Sequence, residues 1–139
     1  KSKWEYIYNG IGYNYKLPSI NAALGLSQLK RINKLINAKR NLFKKYLNSL
    51  RDIKEIRVLE EPKSCKSNYW LNTIILDKKF SVHQKNIIKL CHKNKIFVRP
   101  VWKPLHQLDH FKHFPKMDLK LTNRMAKSVI NLPSSSFIK

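Results

Sequence analysis

The sequence predicts an α+β fold in which a long helix is followed by a small, few-stranded sheet with helices packed on it. Three observations lead to this class. Apolar residues recur with a helical period from about Ser19 to Leu50, two short segments at 56–59 and 69–76 are typical of strands, and helix and strand patterns alternate after them. A chain of 139 residues is long enough for one compact domain with a buried core.

The predicted long helix begins after an aromatic, turn-rich segment, residues 1–17, which we interpret as a linking segment. Pro18 and Ser19 form a helix-start pair, with Ser19 as the expected cap. Apolar residues then mark one side of a helix that is broken at most once. The opposite side is basic, and we expect it to face solvent; it comprises Lys30, Arg31, Lys34, Lys39, Arg40, Lys44 and Lys45.

The remaining chain alternates between strand and helix patterns, so the complete expected order is helix, strand, strand, helix, strand, loop, helix. The elements after the long helix are expected at 56–59, 69–76, 81–94 with Ser81 as the cap, 95–102 closed by Pro100, 104–115 as an irregular loop, and 117–133 as a last helix begun by Asp118. We therefore divide the chain into a linking segment, 1–17, and a small domain, 18–139.

Charge is the strongest compositional feature, since 29 Lys and Arg against 8 Asp and Glu give a formal net charge of +21. Such basicity invites a nucleic-acid-binding function. The lysines are spread from end to end, however, which favours a general attraction for anions over a dedicated groove. A basic nucleic-acid-binding module stays open as an alternative. No segment reaches the roughly 20 apolar residues of a membrane span, and we expect a cytoplasmic protein without a membrane partner.

The segment Gly10 to Asn21 carries the first candidate site. A glycine-bearing loop delivers Asn14 and Lys16 to the start of the long helix, where free N–H groups and the helix dipole favour a bound phosphate. The alternative interpretation is that Asn14 forms a turn and that Lys16 is one of many solvated lysines. Spacing alone does not decide between the two.

A second candidate site lies in RPVWKPLH, residues 99–106. Two prolines stiffen a loop that presents Arg99, Trp102 and His106, and these side chains suit a nucleotide diphosphate. Arginine can contact phosphate with two N–H groups, tryptophan can stack, and histidine can form a hydrogen bond. The alternative is a proline-rich corner in which Trp102 is packed.

Other catalytic or metal-binding patterns are weak. His106, His110 and His113 have the spacing of one helical face, but flanking prolines would scatter them, so we predict no metal site. Glu60 and Glu61 are adjacent and expected to be exposed, which gives no pair of carboxylates for acid–base catalysis.

Both candidate segments resemble the DegT/DnrJ/EryC1/StrS family of sugar aminotransferases. The stretch GYNYKLPSINAALGLSQLKRI is similar to the family segment that follows the large domain, and RPVWKPLHQL, FPKMD and INLPSS match further family segments in order. Within the family, the sequence of these segments is most similar to enzymes that aminate C4 of UDP-linked 4-keto-6-deoxy-N-acetylhexosamines. The resemblance implies the C-terminal small domain of a fold type I enzyme that uses pyridoxal phosphate.

The resemblance also implies roles for individual residues. Asn14 would contact the cofactor phosphate in the active site of the partner subunit of a homodimer. Tyr15 and Lys16 would lie near the substrate, with Lys16 at a position where the family usually has arginine. Lysine keeps the charge at this position but lacks the planar guanidinium that makes two-point contacts. Arg99 and His106 would lie near the entrance for the nucleotide sugar, and Trp102 is assigned to the same substrate-binding set.

The resemblance implies that the Schiff-base lysine belongs to a large N-terminal domain whose motifs are not found in these 139 residues. We therefore name no catalytic residue and expect the chain alone to be inactive. In the full enzyme the expected reaction is amination of a nucleotide-linked 4-keto-6-deoxy sugar, with glutamate as the amino donor, for polysaccharide biosynthesis. An inactive remnant of a truncated gene is a further alternative.

Overall fold

The computed structural model describes Gly10 and residues 12–138, and this part of the chain contains four α-helices and four short strands. The helices are α1 (Ser19–Lys30), α2 (Ile32–Leu50), α3 (Gln84–Lys93) and α4 (Lys120–Ser128); the strands are β1 (Ile56–Val58), β2 (Asn72–Leu76), β3 (Arg99–Pro100) and β4 (Val129–Leu132). The predicted α+β class is confirmed. The chain divides into two compact units, one ending at Ile32 and the other beginning at Asn33.

The four strands form one antiparallel sheet in the order β1-β2-β4-β3. Strand β4 is central, since Ile130 pairs with Ile74 of β2 on one side and with Pro100 of β3 on the other. The prediction of a helix through residue 133 was therefore wrong beyond Ser128. Residues 129–132 extend because their backbone groups bond to two distant strands, which a local apolar pattern does not reveal.

The core lies between one face of this sheet and the helices α2 and α3. Strand β2 alternates as a half-buried strand should, with Asn72, Ile74 and Leu76 buried and Thr73 and Ile75 half-exposed. Phe43 of α2 joins this buried cluster, and further side chains from both helices pack against it: Leu47, Leu50, Ile87, Ile88 and Cys91. On α2 these residues are four and three positions apart, and on α3 Cys91 follows Ile87 and Ile88 by four and three positions, which is the spacing of one helical face.

The first unit contains α1, none of whose residues is buried. The long helical pattern is confirmed with one break, at Arg31, which forms a turn between α1 and α2. Ser19 does not cap the helix, because it is the first helical residue and Pro18 occupies the cap position without a side-chain bond. The apolar side chains of α1 are exposed, Ile20 and Leu24 among them.

Other predicted boundaries also require correction. The last helix begins at Lys120, with Leu119 at the cap position, and not at Asp118. The second predicted strand starts at Asn72 rather than 69, and only Arg99 and Pro100 of the segment 95–102 pair in the sheet. Ser81 opens a short 3-10 turn and donates to Lys78 O, so it does not cap α3. The loop 104–115 contains two further 3-10 turns, at Leu105–Gln107 and Asp109–Phe111. No helix in the described part of the chain is long and apolar enough to cross a membrane.

Candidate substrate-binding groove

A groove of about 740 Å³ lies beside the edge strand β3 in the second unit. Its lining includes Arg99 and Trp102, two of the residues predicted to bind substrate, together with Trp70 and Phe97. Arg99 is exposed, and it forms no salt bridge with the described residues. Its guanidinium therefore keeps its N–H donors for an anionic ligand.

Two tryptophans form the aromatic part of this groove. The rings of Trp70 and Trp102 have their centroids 6.1 Å apart with an angle of 30° between planes, and the residues are 63% and 72% exposed. Phe97 adds a further exposed ring. The interpretation of Trp102 as a packed corner residue is thus wrong, because most of its surface reaches solvent. Clustered exposed aromatic rings are typical of binding surfaces.

The backbone at Trp70 is held by polar contacts. Trp70 N donates to Asn68 Oδ1 at 3.0 Å, and Lys39 Nζ donates to Trp70 O at 3.4 Å. The same ammonium donates to Ser134 O at 2.6 Å, and Ser134 also lines the groove. Lys39 thus joins two walls of the groove, contrary to its assignment to a solvated helix face.

A second set of contacts, the clamp between Arg40 and Glu61, fixes the loop before Trp70. Arg40 contacts both carboxylate oxygens of Glu61, at 2.6 and 3.0 Å, and also donates to Ser67 O at 2.5 Å. Ser67 N donates to the same carboxylate. The Arg40 hydrogen bonds, followed by the backbone bond from Ser67, lower the pKa of Glu61 to about 2. Glu61 and Arg40 are half-buried partners, so the prediction of an exposed Glu61 was wrong.

Tyr69 connects the clamp between Arg40 and Glu61 to Trp70. Its backbone adopts the left-handed region, φ 45°, which is unfavourable for a residue with a Cβ. The ring compensates by burial, since it stacks on Phe43 with centroids 3.9 Å apart and lies 5.4 Å beneath the Arg40 guanidinium. This conformation turns the chain so that Tyr69 points into the core while Trp70 stays in solvent.

The opposite wall of the groove is also ordered by hydrogen bonds. His92 Nε2 donates to Val98 O at 2.7 Å, and Asn131 Nδ2 contacts Pro100 O at 3.5 Å. Asn131 Oδ1 in turn accepts from the Thr73 hydroxyl at 2.9 Å. Arg99 therefore lies between two anchored neighbours, which keeps its Cα fixed while its side chain stays free.

His106, the third predicted residue of this segment, lies outside the lining of the groove. Its Nε2 is 2.9 Å from Asn123 Oδ1, which also accepts from Gln107 Nε2 at 3.1 Å. The contact fixes the ring against α4. Within the described ranges, 10 and 12–138, no three His, Cys, Asp or Glu side chains converge as a metal site would require.

The predicted phosphate-binding residues Asn14, Tyr15 and Lys16 belong to the first unit and are all exposed. Asn14 Oδ1 accepts from Lys16 N at 3.3 Å, which leaves the amide Nδ2 to donate elsewhere. Helix α1 follows with no side-chain cap and no acidic residue in its first turn. An amide donor, an ammonium and an uncapped helix start form a donor set that fits a phosphate group.

Comparison with known proteins adds a family to this geometry. The model of the DegT/DnrJ/EryC1/StrS aminotransferase family matches residues 1–139. A GDP-perosamine synthase from Vibrio cholerae is 35% identical over 130 residues, which are 93% of this chain and 35% of that protein. The UDP-4-amino-4,6-dideoxy-N-acetyl-beta-L-altrosamine transaminase of Helicobacter pylori is 30% identical, over 88% of this chain and 33% of its own length.

Solved structures agree with this result. PseC of Helicobacter pylori, an aminotransferase involved in the biosynthesis of pseudaminic acid, superposes with a TM-score of 0.87 and 28% identity. The match covers 100% of this chain and 38% of PseC. The chain thus spans about a third of the length of the curated relatives it matches. It belongs to the DegT/DnrJ/EryC1/StrS aminotransferase family, whose aminotransferases depend on pyridoxal phosphate.

Proposed function

We propose that the chain is the C-terminal part of an aminotransferase that aminates a nucleotide-linked 4-keto-6-deoxy sugar, with glutamate as the amino donor, for surface polysaccharide or glycan biosynthesis. The observation that carries the proposal is the free Arg99 beside two exposed tryptophans in a member of this family. Two relatives at 30% identity or more are named for a GDP-linked and a UDP-linked sugar, which supports a nucleotide-sugar substrate.

The groove supplies the substrate contacts. The planar guanidinium of Arg99 can donate two parallel N–H bonds to a diphosphate, and Trp102 offers an aromatic face beside it. His106 lies outside the groove lining, four residues beyond Trp102; its Nε2 donates to Asn123 Oδ1, which leaves Nδ1 to accept from a substrate hydroxyl. Together these groups would bind and orient the nucleotide end of the substrate.

The first unit supplies contacts to the cofactor. Asn14 would donate its amide Nδ2 to the phosphate of pyridoxal phosphate in the partner subunit of a homodimer, with Tyr15 and Lys16 beside the substrate. The cofactor, when bound, supplies the electron sink that amino transfer needs. The residues of this chain would bind the cofactor phosphate and orient the substrate. The exposed rings of Tyr13 and Tyr15, 5.8 Å apart, are consistent with such an interface; the other aromatic residues predicted there, Trp4, Tyr6 and Tyr8, lie outside the described residues.

The lysine that holds the cofactor would then belong to a large domain beyond these residues. We test this division with pyridoxal phosphate and borohydride, followed by peptide mapping of the chain. A catalytic lysine reacts ahead of the others, because burial of an amine lowers its pKa. We expect scattered, substoichiometric labelling of the lysines. Stoichiometric labelling of one lysine would show that the chain itself contains the catalytic residue.

The charge of +21 favours a second candidate, a basic nucleic-acid-binding module. Such binding weakens steeply with salt, because it releases counterions. Titration of duplex and single-stranded oligonucleotides against the chain, at about 50 and 200 mM salt, separates the candidates. The aminotransferase proposal predicts negligible binding at the higher concentration. Tight binding that persists there would support the second candidate.

A further inference from the structure

The polar side chains that line the groove are mostly engaged within the protein. His92 bonds to Val98 O, and Asn131 bonds to Thr73 and Pro100. Ser134 Oγ donates to Leu132 O at 2.8 Å and accepts from Asn72 N at 2.7 Å. Among the charged and polar side chains of the described lining, only Arg99 and the two indole N–H groups lack such a partner.

The indole N–H groups lie in the planes of their rings. A flat ligand stacked on the face of Trp70 or Trp102 therefore presents its own edge away from these donors. The lining thus offers broad aromatic area and one cation, and few free side-chain groups that could read the edge of a nucleobase. Recognition by stacking tolerates different bases, since every base has an aromatic face.

The backbone that carries Trp70 is also held in place. Trp70 is fixed through Lys39 and Asn68, and the turn at Tyr69 is fixed by the clamp between Arg40 and Glu61. A preorganised aromatic surface loses little conformational entropy when a ligand stacks on it. The exposure of Trp70 in an anchored loop, beside the exposed ring of Trp102, is thus readily explained by a flat ligand.

We propose that Trp70 and Trp102 form a base-tolerant platform that stacks the nucleobase of the nucleotide sugar, while Arg99 binds the diphosphate. The proposal rests on the proposed function, because that function makes the ligand a nucleoside diphosphate derivative. The platform proposal extends the proposed function by assigning Trp70 to the site and by placing base selectivity outside this groove. The diphosphates of uridine, thymidine and guanosine should therefore all bind to the same residues.

The test is nucleoside diphosphate binding to the 139-residue chain, by saturation-transfer NMR and calorimetry in about 150 mM potassium chloride. UDP, dTDP and GDP should bind with dissociation constants within about tenfold of one another, with the strongest saturation transfer on the base protons. Trp70→Ala and Trp102→Ala should each weaken UDP binding about 5- to 100-fold, and the corresponding Phe variants should retain most of it. Far-UV circular dichroism and melting curves confirm that each variant folds.

A matched pair of variants tests the cation. Arg99→Gln should weaken binding of UDP and of pyrophosphate alike. Arg57→Gln makes the same change at an exposed site on β1, the opposite edge strand, and should leave both affinities unchanged.

Four results would overturn the platform: pyrophosphate binding as tightly as UDP, one base preferred more than about a hundredfold, unchanged UDP binding in both Trp→Ala variants, or no binding at about 10 mM nucleotide. Amino transfer is measured separately as product, so failure of the platform and failure of the proposed function are distinguishable.

Discussion

Replacement of Lys39 by methionine tests how the groove is built. Methionine keeps most of the length of the side chain and removes the ammonium that bonds to Ser134 O at 2.6 Å and to Trp70 O at 3.4 Å. The shorter bond dominates, because the longer one is near the limit of hydrogen-bond geometry. A bond from a charged donor contributes about 1.5–3 kcal/mol, and partial exposure reduces this to about 1–2 kcal/mol.

This loss converts into a measurable change of melting temperature. The unit from Asn33 to Lys139 has roughly 110 residues, so its unfolding entropy is about 0.2 kcal/mol/K and the expected decrease is about 4–9 °C. UDP affinity should decrease as well, because Trp70 loses an anchor. Lys45→Met is the control, since Lys45 is exposed on the same helix and its replacement should change stability by less than about 0.5 kcal/mol. Equal melting temperatures for the two variants would refute the conclusion that Lys39 joins Trp70 to Ser134.

Two further predictions concern the scaffold. The lowered pKa of Glu61, about 2 against 4.5 when unperturbed, means that its ionised form stabilises the fold above pH 4.5 and that this contribution is lost as pH falls from 4.5 towards 2. The difference in melting temperature between the wild type and Glu61→Gln should therefore be constant above about pH 5 and shrink below it; a difference independent of pH down to 2 would contradict the clamp. Ile130→Ala removes a side chain that is 1% exposed on the central strand and should cost about 2–5 kcal/mol in urea unfolding, whereas Leu121→Ala, 61% exposed on α4, should change stability by less than about 0.5 kcal/mol. Similar effects of the two alanines would contradict the assignment of β4.

The sequence was sufficient for the elements whose patterns are local. The helical segments α1 and α2 and the apolar side of α2 follow from spacing, and the strand at β2 follows from its content of β-branched residues. Strand β4 was missed because its apolar residues continue the pattern of α4, and only pairing with β2 and β3 makes it extend. Strand β3 is shorter than predicted, since Lys95 adopts φ 60° and Pro100 lacks an N–H donor.

The candidate site shows the same division. Arg99 and Trp102 could be predicted because they share one short segment that leaves a strand. Trp70 could not, since it reaches Trp102 from 32 positions away through the fold. The roles of Lys39 and Arg40 were equally hidden, because their partners Trp70, Ser134 and Glu61 lie in distant loops. A charged residue on a helix shows its periodicity in the sequence but not its partner.

Amino transfer to a nucleotide-linked 4-keto-6-deoxy sugar is the measurement that tests the central claim most directly. The 139-residue chain and a continuous polypeptide that joins it to an N-terminal large domain are each incubated with pyridoxal phosphate, glutamate and the UDP-, GDP- or dTDP-linked ketosugar. We predict that the longer protein forms the 4-amino sugar nucleotide and one 2-oxoglutarate per product, detected by mass spectrometry, and that the chain alone forms none. Failure of the longer protein with every ketosugar, or turnover by the chain alone, would contradict the account.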